Sequence, residues 1–413
     1  MSTSAFFKFP KVIRRLHAGP LGVHIDAYAA LLQEQGYACQ SACVHLQVIA
    51  DFSRWLQRRE LGADDIDAQT LQRYLHCRRR FVGRYRGASS ALDKILGMLR
   101  DRGIAKHDTP PVVIDAGDRA EEDFKRYLLQ ERGLSAAILH IYQPVVHRFL
   151  RERFGRGPIQ FSALRATDLT GFVQRHVYER SPRSAQHMVG ALRAFLRYLR
   201  YRGEITTDLA ACVPTVANWS YSTLPRFLQP GQVQQVLAHC NRHTTVGRRN
   251  YAILLLLARL GLRAGEVVAM TLDDIDWKAS HLTVRGKGGQ WAQMPLPAEV
   301  GKAIAAYLQQ GRPHCASRRL FIRERAPRVG FASSVGISTL VKHALAHAGV
   351  ASPHTGAHVF RHTLATKMLR HGASLGEIGE LLRHQHPDTT QIYAKVDLSA
   401  LRPLALRWPG DRR

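Results

Sequence analysis

From Pro214 to Pro230 the chain reads PTVANWSYSTLPRFLQP, a run with three prolines and no helical periodicity. Proline lacks an amide hydrogen and its ring clashes with the preceding helical turn, so no helix crosses this run. A second break, HDTPPVVIDAG at 107–117, carries Pro110, Pro111 and Gly117 and reads as a linker. The two breaks divide the 413 residues into 1–106, 118–213 and 226–413. Two or three domains is also what the length predicts.

The first two segments resemble each other. Leu-Leu-Gln-Glu stands at 31–34 and again at 128–131, Val48 answers Val145, and Phe52 answers Phe149. Both segments end alike, in LRDRGI at 99–104 and LRYRGEI at 199–205. Apolar residues recur at three-to-four spacing, as in Leu192, Phe195, Leu196 and Leu199, which predicts amphipathic helices. The reading is two small helical bundles of related design, a duplication.

With 59 Lys and Arg against 32 Asp and Glu, the net charge is +27. Such an excess repels itself unless a polyanion shares the surface, and nucleic acid is the first partner to expect. Arg78–Arg80, Arg84 and Arg86 crowd the first bundle. Arg193, Arg197 and Arg200 form a stripe at helical spacing on the second, read as phosphate contacts. A membrane is excluded as partner: the longest apolar stretch, Ala252–Ala258, falls far short of the roughly 20 residues a span needs. The first residues show no apolar signal core. The six cysteines form no CxxC pair, which fits a reducing cytoplasm, and the 45% hydrophobic content excludes wholesale disorder.

The third segment changes texture. Tyr251–Leu260 reads as a buried helix ending at Gly261. Asp274–Trp277, His281–Val284 and Trp291–Leu296 read as short strands, the last two joined by a turn at 285–289. Helices are expected at Ala298–Gln309, Val335–His347, Gly356–Arg370, Leu375–Leu382 and Pro387–Lys395. The fold expected is therefore mainly α: two helical N-terminal bundles, then a mostly helical domain with one small antiparallel sheet.

Four local features converge in this segment. Arg263 follows a buried helix with Glu266 three residues on, and Lys287 sits at a hairpin tip. His358 and Arg361 share one helix face, and His384 is followed nine residues later by Tyr393. Singly each is commonplace; as an ordered set behind basic helical bundles they are not. ARLGLRAGEVVAMTLDDIDW at 258–277, VRGKGG at 284–289 and AHVFRHTLATKMLRHGASLGEIGELLRHQHPDTTQIYAKV at 357–396 resemble the signature boxes of the tyrosine recombinase (phage integrase) family. The segment 118–213 is similar to that family's core-binding domain. Two departures stand out: Phe360 where the family often has Leu, and Arg383 where it often has Gly.

The resemblance implies a site-specific DNA recombinase of integrase or transposase type, catalytic through Arg263, Lys287, His358, Arg361, His384 and Tyr393. Guanidinium forks at Arg263 and Arg361 suit the non-bridging oxygens of a phosphodiester. The phenol of Tyr393 can form a covalent 3′-phosphotyrosyl intermediate. By resemblance His358 assists its deprotonation and His384 donates to the phosphate. Lys287 is the candidate acid for the leaving 5′-hydroxyl. Storing the bond energy on tyrosine lets another 5′-hydroxyl reverse the step, so no metal and no cofactor is expected. The implied partner is double-stranded DNA, held by a tetramer on two sites, with sister recombinases as further partners and the nucleoid in the cytoplasm as the place of action. Two other readings stand beside this one: a type IB topoisomerase-like relaxing enzyme, and a non-catalytic DNA-binding accessory protein. A zinc site at His354, His358 and His362 is disfavoured, since no HExxH or cysteine accompanies them.

Overall fold

A computed structural model describes residues 3–78, 87–105, 115–134, 136–155, 157–217, 226–286, 290–352 and 354–396. The chain forms two compact units, Met1–Asp108 with Thr223–Arg413, and Thr109–Ser222.

In the first unit, the N-terminal bundle comprises α1 (Pro10–Leu16), α2 (Ile25–Glu34), α3 (Cys39–Gln57), α4 (Ala68–Cys77) and α5 (Ala88–Asp101). Its core includes Leu32, Leu46, Phe52, Tyr74, Ile95 and Leu99. One carboxylate is buried there: Asp51 accepts from Tyr74 Oη at 3.0 Å and from Arg78 Nε and Nη2 at 3.0 and 2.7 Å. Arg78, read from the sequence as part of a basic face, is thus paired with a buried carboxylate while its side chain stays partly exposed. Arg79, Arg80, Arg84 and Arg86 lie outside the described residues.

The second unit holds α6 (Ala116–Arg126), α7 (Ala136–Phe154), α8 (Ala166–Val177) and α9 (Pro182–Tyr201). Ser181 caps α9 by accepting from Ser184 N at 3.3 Å, and Pro182 occupies the first turn, where a missing amide hydrogen costs nothing. In two pairs of helices the burial pattern repeats that of the first bundle. Val48, Ile49 and Phe52 of α3 correspond to Val145, Val146 and Phe149 of α7, all buried. Leu92, Ile95, Leu96 and Leu99 of α5 correspond to Leu192, Phe195, Leu196 and Leu199 of α9, again all buried. Both of these last helices run into a left-handed glycine, Gly103 at φ +68° and Gly203 at φ +76°.

The arginine stripe on α9 is less uniform than periodicity suggests. Arg193 Nη2 donates to Val213 O at 2.8 Å and to Thr215 Oγ1 at 3.0 Å, bracing the segment after the helix. Arg200 pairs with Asp208 at 3.2 Å. Arg197 is exposed and has no hydrogen bond or ion pair among the described residues.

The C-terminal part of the first unit contains α10 (Gln232–Ala238), α11 (Thr245–Leu260) and α12 (Ala264–Ala269). Strands β1 (Ile275–Asp276), β2 (His281–Arg285) and β3 (Trp291–Pro295) follow. After them come α13 (Ala298–Gln310), α14 (Ser334–His347), α15 (His358–Arg370), α16 (Leu375–Leu382) and α17 (Asp388–Gln391), with a final 3₁₀ turn at Ala394–Val396. The sheet is antiparallel in the order β1-β2-β3, with Ile275 opposite Leu282 and Arg285 opposite Trp291. Helix α11 packs against both α13 and α15, which is why Ala252–Leu257 are all buried. It begins six residues before the expected Tyr251, because Thr244 caps it by accepting from Gly247 N at 3.0 Å. The expected helix over Pro387–Lys395 is broken into α17 and the 3₁₀ turn. Among the described residues no helix is long and apolar enough to cross a membrane.

Candidate active site

Gly261 ends α11 in the left-handed region, at φ +59°, and a Cβ there would come within 2.7 Å of Leu382 Cδ2. Glycine takes this conformation without strain and leaves the Leu382 methyl in place, so the ends of α11 and α16 meet closely. Arg361, on α15, bridges them. Its Nη1 donates to Gly261 O at 2.5 Å, and its Nη2 donates to Leu382 O. The guanidinium therefore sits between the negative ends of two helices, which stabilises its charge although the residue is only 4% exposed. Burial first, then the charges of Arg263 and Arg383, pull its pKa down to about 10, still cationic at neutral pH.

Immediately after Gly261 and Leu262, Arg263 caps α12. Glu266 holds it from two sides, accepting from Arg263 N at 2.9 Å and from Nη1 at 2.7 Å. Arg383 Nη2 donates to the same carboxylate at 2.8 Å. Burial pushes the Glu266 carboxyl up, but Arg383 and Arg263 outweigh it, and the net displacement is downward. One buried anion thus serves two cations. Arg383 keeps a left-handed backbone, φ +55°, at the position where the family often has glycine. Its bond to Glu266 compensates for a conformation that L-residues adopt at a cost of about 1–2 kcal/mol.

Tyr393 is 1% exposed, enclosed by Ala365, Ile378 and Leu382. Its Oη is hydrogen-bonded to His362 Nδ1 at 2.9 Å. Burial raises its pKa to about 12, against the opposing pull of Arg361 and Arg263. His358 opens α15, one helical turn before His362, and the two rings lie 6.4 Å apart. His384 Nδ1 is bonded to Thr390 Oγ1 at 2.7 Å, which ties the end of α16 to α17. Arg263, Arg383 and His384 line a cleft of about 250 Å³ together with Gln290, Trp291 and His386. Lys287 stands between β2 and β3 in the sequence and lies outside the described residues. The strand ends beside it close on each other, Gly286 N donating to Gln290 O at 2.7 Å.

Of the six residues singled out from the sequence, Arg263, Arg361, His384 and Tyr393 are electrostatic neighbours, and His358 stands one turn from the histidine on the phenol. Sequence reasoning missed two members of the constellation. In the sequence His362 figures only in a disfavoured zinc site, and Arg383 only as a departure from the family pattern. No local signal marks either one, since their partners lie 31 and 117 residues away. As for metals, Asp118, Glu121 and His147 bring three ligand-type atoms within 4.8 Å of one another. Arg151 donates to Asp118 at 2.7 Å and His147 is bonded to Glu121 at 2.9 Å, so that group satisfies itself.

Two half-buried histidines set an acid limit on this region. Burial is the largest cause that lowers both His362 and His384, from 6.5 to about 4. Between those values the unfolded chain binds protons that the folded chain refuses, so stability falls as pH drops from 6.5 towards 4. Above the unfolded value these groups cost nothing. The melting temperature is therefore expected to drop between about pH 7.5 and about pH 5, and to drop less in His362→Gln. Equal drops in thermal melts of the two proteins would refute the assignment of His362.

The Phage integrase family pattern matches residues 226–399. A Sinorhizobium fredii protein named as an integrase/recombinase, y4rA, is 46% identical over 398 residues, covering 95% of this chain and 96% of its own length. The tyrosine recombinase XerD of Listeria monocytogenes is 30% identical over 282 residues, 67% of this chain and 93% of its own. Among solved structures, the XerH site-specific recombinase in a post-cleavage complex with palindromic difH aligns over 69% of this chain and 83% of its own, with a TM-score of 0.55 at 17% identity. The fold is shared with that recombinase, and on the sequence relationships the chain belongs to the tyrosine recombinase (phage integrase) family.

Proposed function

We propose that this chain is a site-specific DNA recombinase that cuts and rejoins strands through a phosphotyrosine at Tyr393. The observation that carries this reading is the convergence of a buried phenol, Tyr393, with two held guanidinium groups, Arg361 and Arg263. A phosphodiester repels nucleophiles, and charge building on its oxygens during attack needs fixed donors around it. Arg361 and Arg263 keep N–H groups beyond those used internally, and His384 adds another donor. Lys287 protonates the leaving 5′-oxygen. Tyr393 is covered as it stands, so a phosphate reaches it only once the contacts with Ile378 and Leu382 loosen.

The partner is double-stranded DNA. The bundles 1–106 and 118–213 and the catalytic segment 226–413 each contribute basic residues to phosphate contact, and the repeated burial pattern supports a duplicated bundle. Strand exchange between two duplexes calls for a homotetramer on two sites, with sister recombinases as further partners in the nucleoid. The task is integration or transposition. No reacting group of the set is missing from the sequence, and neither the relaxing enzyme nor the accessory protein is favoured.

The test is covalent capture. The protein is incubated with a pool of nicked random-sequence duplexes, denatured, and the DNA that stays attached is sequenced and its peptide identified. One recovered sequence joined to Tyr393 is expected; no attached DNA, or attachment elsewhere, would overturn the reading. Two further outcomes are expected with the recovered duplex. Lys287→Ala should cleave poorly a normal strand but regain most of its rate on a 5′-thiol leaving group, which needs no proton. Arg197→Ala should weaken binding and lower the slope of log affinity against log salt by about 1. An unchanged slope would remove Arg197 from the phosphate contacts.

A further inference from the structure

We infer that Arg383 is a positioning residue of the cleavage site: by occupying one oxygen of Glu266, it keeps Arg263 from closing both arms on that carboxylate and leaves it free to meet the phosphate. This role lies within the recombinase reading above. Glu266 has two oxygens and three donors. Oε1 accepts from Arg263 Nη1 at 2.7 Å, and Oε2 accepts from Arg263 N at 2.9 Å and from Arg383 Nη2 at 2.8 Å. Oε2 is thus filled by one backbone and one side-chain donor, and Arg263 spends a single side-chain nitrogen on the carboxylate. An arginine that meets a free carboxylate edge tends to close on it in a two-bond fork. Arg383 forestalls that fork, so the remaining N–H groups of Arg263, a partly exposed side chain lining the cleft, stay available to a phosphate.

Charge works in the same direction. Among the described residues, Arg263, Arg361 and Arg383 share one carboxylate, Glu266, which leaves two positive charges for an arriving phosphate. With glycine at 383 only one would remain. Behind burial and Arg263, the charge of Arg383 also lowers Arg361, so the three guanidinium groups sit in one field. The side chain is held in place: it is largely buried, and its Nη1 donates to Leu381 O at 3.1 Å, at the end of α16. Residue 383 itself stands between Leu382, whose carbonyl holds Arg361, and His384. A helix end with no further duty would be served by glycine, which takes φ +55° without strain. This chain instead carries the strain together with a cation, and strain kept at a site points to a function of the side chain.

The experiment measures single-turnover adduct formation and DNA affinity on the duplex recovered by covalent capture, with full-length protein. It compares wild type, Arg383→Gly, Arg383→Asn and Arg383→Lys, and thermal melting is followed for each. Glycine and asparagine both tolerate the left-handed backbone and remove the cation, so one can stand in for the other should either loosen the helix end. Lysine keeps the strain and the cation. Cleavage should follow the charge and not the backbone. Arg383→Gly and Arg383→Asn are expected to cleave about 10- to 100-fold more slowly at saturating DNA, less than the cost of losing a whole donor. Their DNA affinity should stay within about twofold of wild type, a split between rate and binding that a merely structural helix end would not produce. Arg383→Lys, which can still occupy Glu266, should stay within about fivefold of the wild-type rate. Uncharged variants that cleave within about threefold of wild type would overturn the role, and so would Arg383→Lys cleaving as slowly as they do. A wild type that forms no adduct would instead overturn the recombinase reading, and this role with it.

Discussion

Replacing Tyr393 by Phe is expected to abolish covalent attachment to DNA entirely while leaving DNA affinity within about twofold of wild type. The phenyl ring keeps the volume that Ala365, Ile378 and Leu382 enclose, so no cavity opens in that cluster. What is lost is one buried hydrogen bond, to His362 Nδ1. Leaving that nitrogen without its partner costs about 1–3 kcal/mol, partly offset because the phenol no longer has to be desolvated. The variant should therefore melt slightly lower and remain a competent DNA-binding protein. Its chemistry is all or none, since phenylalanine has no atom that can bond to phosphorus. Capture on nicked duplex, read on a denaturing gel, decides the matter. An adduct surviving in Tyr393→Phe would mean another nucleophile, and the hydroxyl seen against His362 would then be only a core contact.

Periodicity and breakers were enough to read most of this fold. The apolar spacing in Leu192, Phe195, Leu196 and Leu199 follows from one buried helix face, and that face is what packs. The strands around 275–295 followed from alternation and from the glycine-rich turn. Helix ends were less legible, as at Thr244, where a polar first turn hides the start of α11. Breakage of the last helix into α17 and a 3₁₀ turn, with Tyr393 between them, leaves no mark in composition. Partners were the least legible of all. Arg193, Arg197 and Arg200 have the same spacing, yet Val213 and Thr215 engage the first, Asp208 engages the last, and only Arg197 stays open among the described residues. The same limit applied at the site: the order of Arg, His and Tyr was readable, whereas the contacts Glu266–Arg383 and His362–Tyr393 exist only once distant segments meet.

Arg361 offers the second large effect, and the conservative substitution is the informative one. Arg361→Ala would strip two buried carbonyls, Gly261 O and Leu382 O, of their donor, at about 1–3 kcal/mol each. A variant that loses the junction of α11 and α16 says little about chemistry. Arg361→Lys keeps a positive charge and can still donate to one or both carbonyls, so it should fold with a reduced melting temperature. An ammonium is a point donor, however, while guanidinium is a planar fork. Once lysine has satisfied the helix ends it has no second edge to present to the phosphate. Cleavage by Arg361→Lys is therefore expected to fall about 100- to 1,000-fold, the usual cost of removing one donor from developing oxyanion charge. Because that loss falls on the chemical step, DNA affinity should change far less than the single-turnover rate. A lysine variant that cleaves within about tenfold of wild type would show that charge alone suffices. The two-carbonyl clasp would then serve only to join the helices, and the phosphate-binding role would pass to Arg263 and its shared carboxylate.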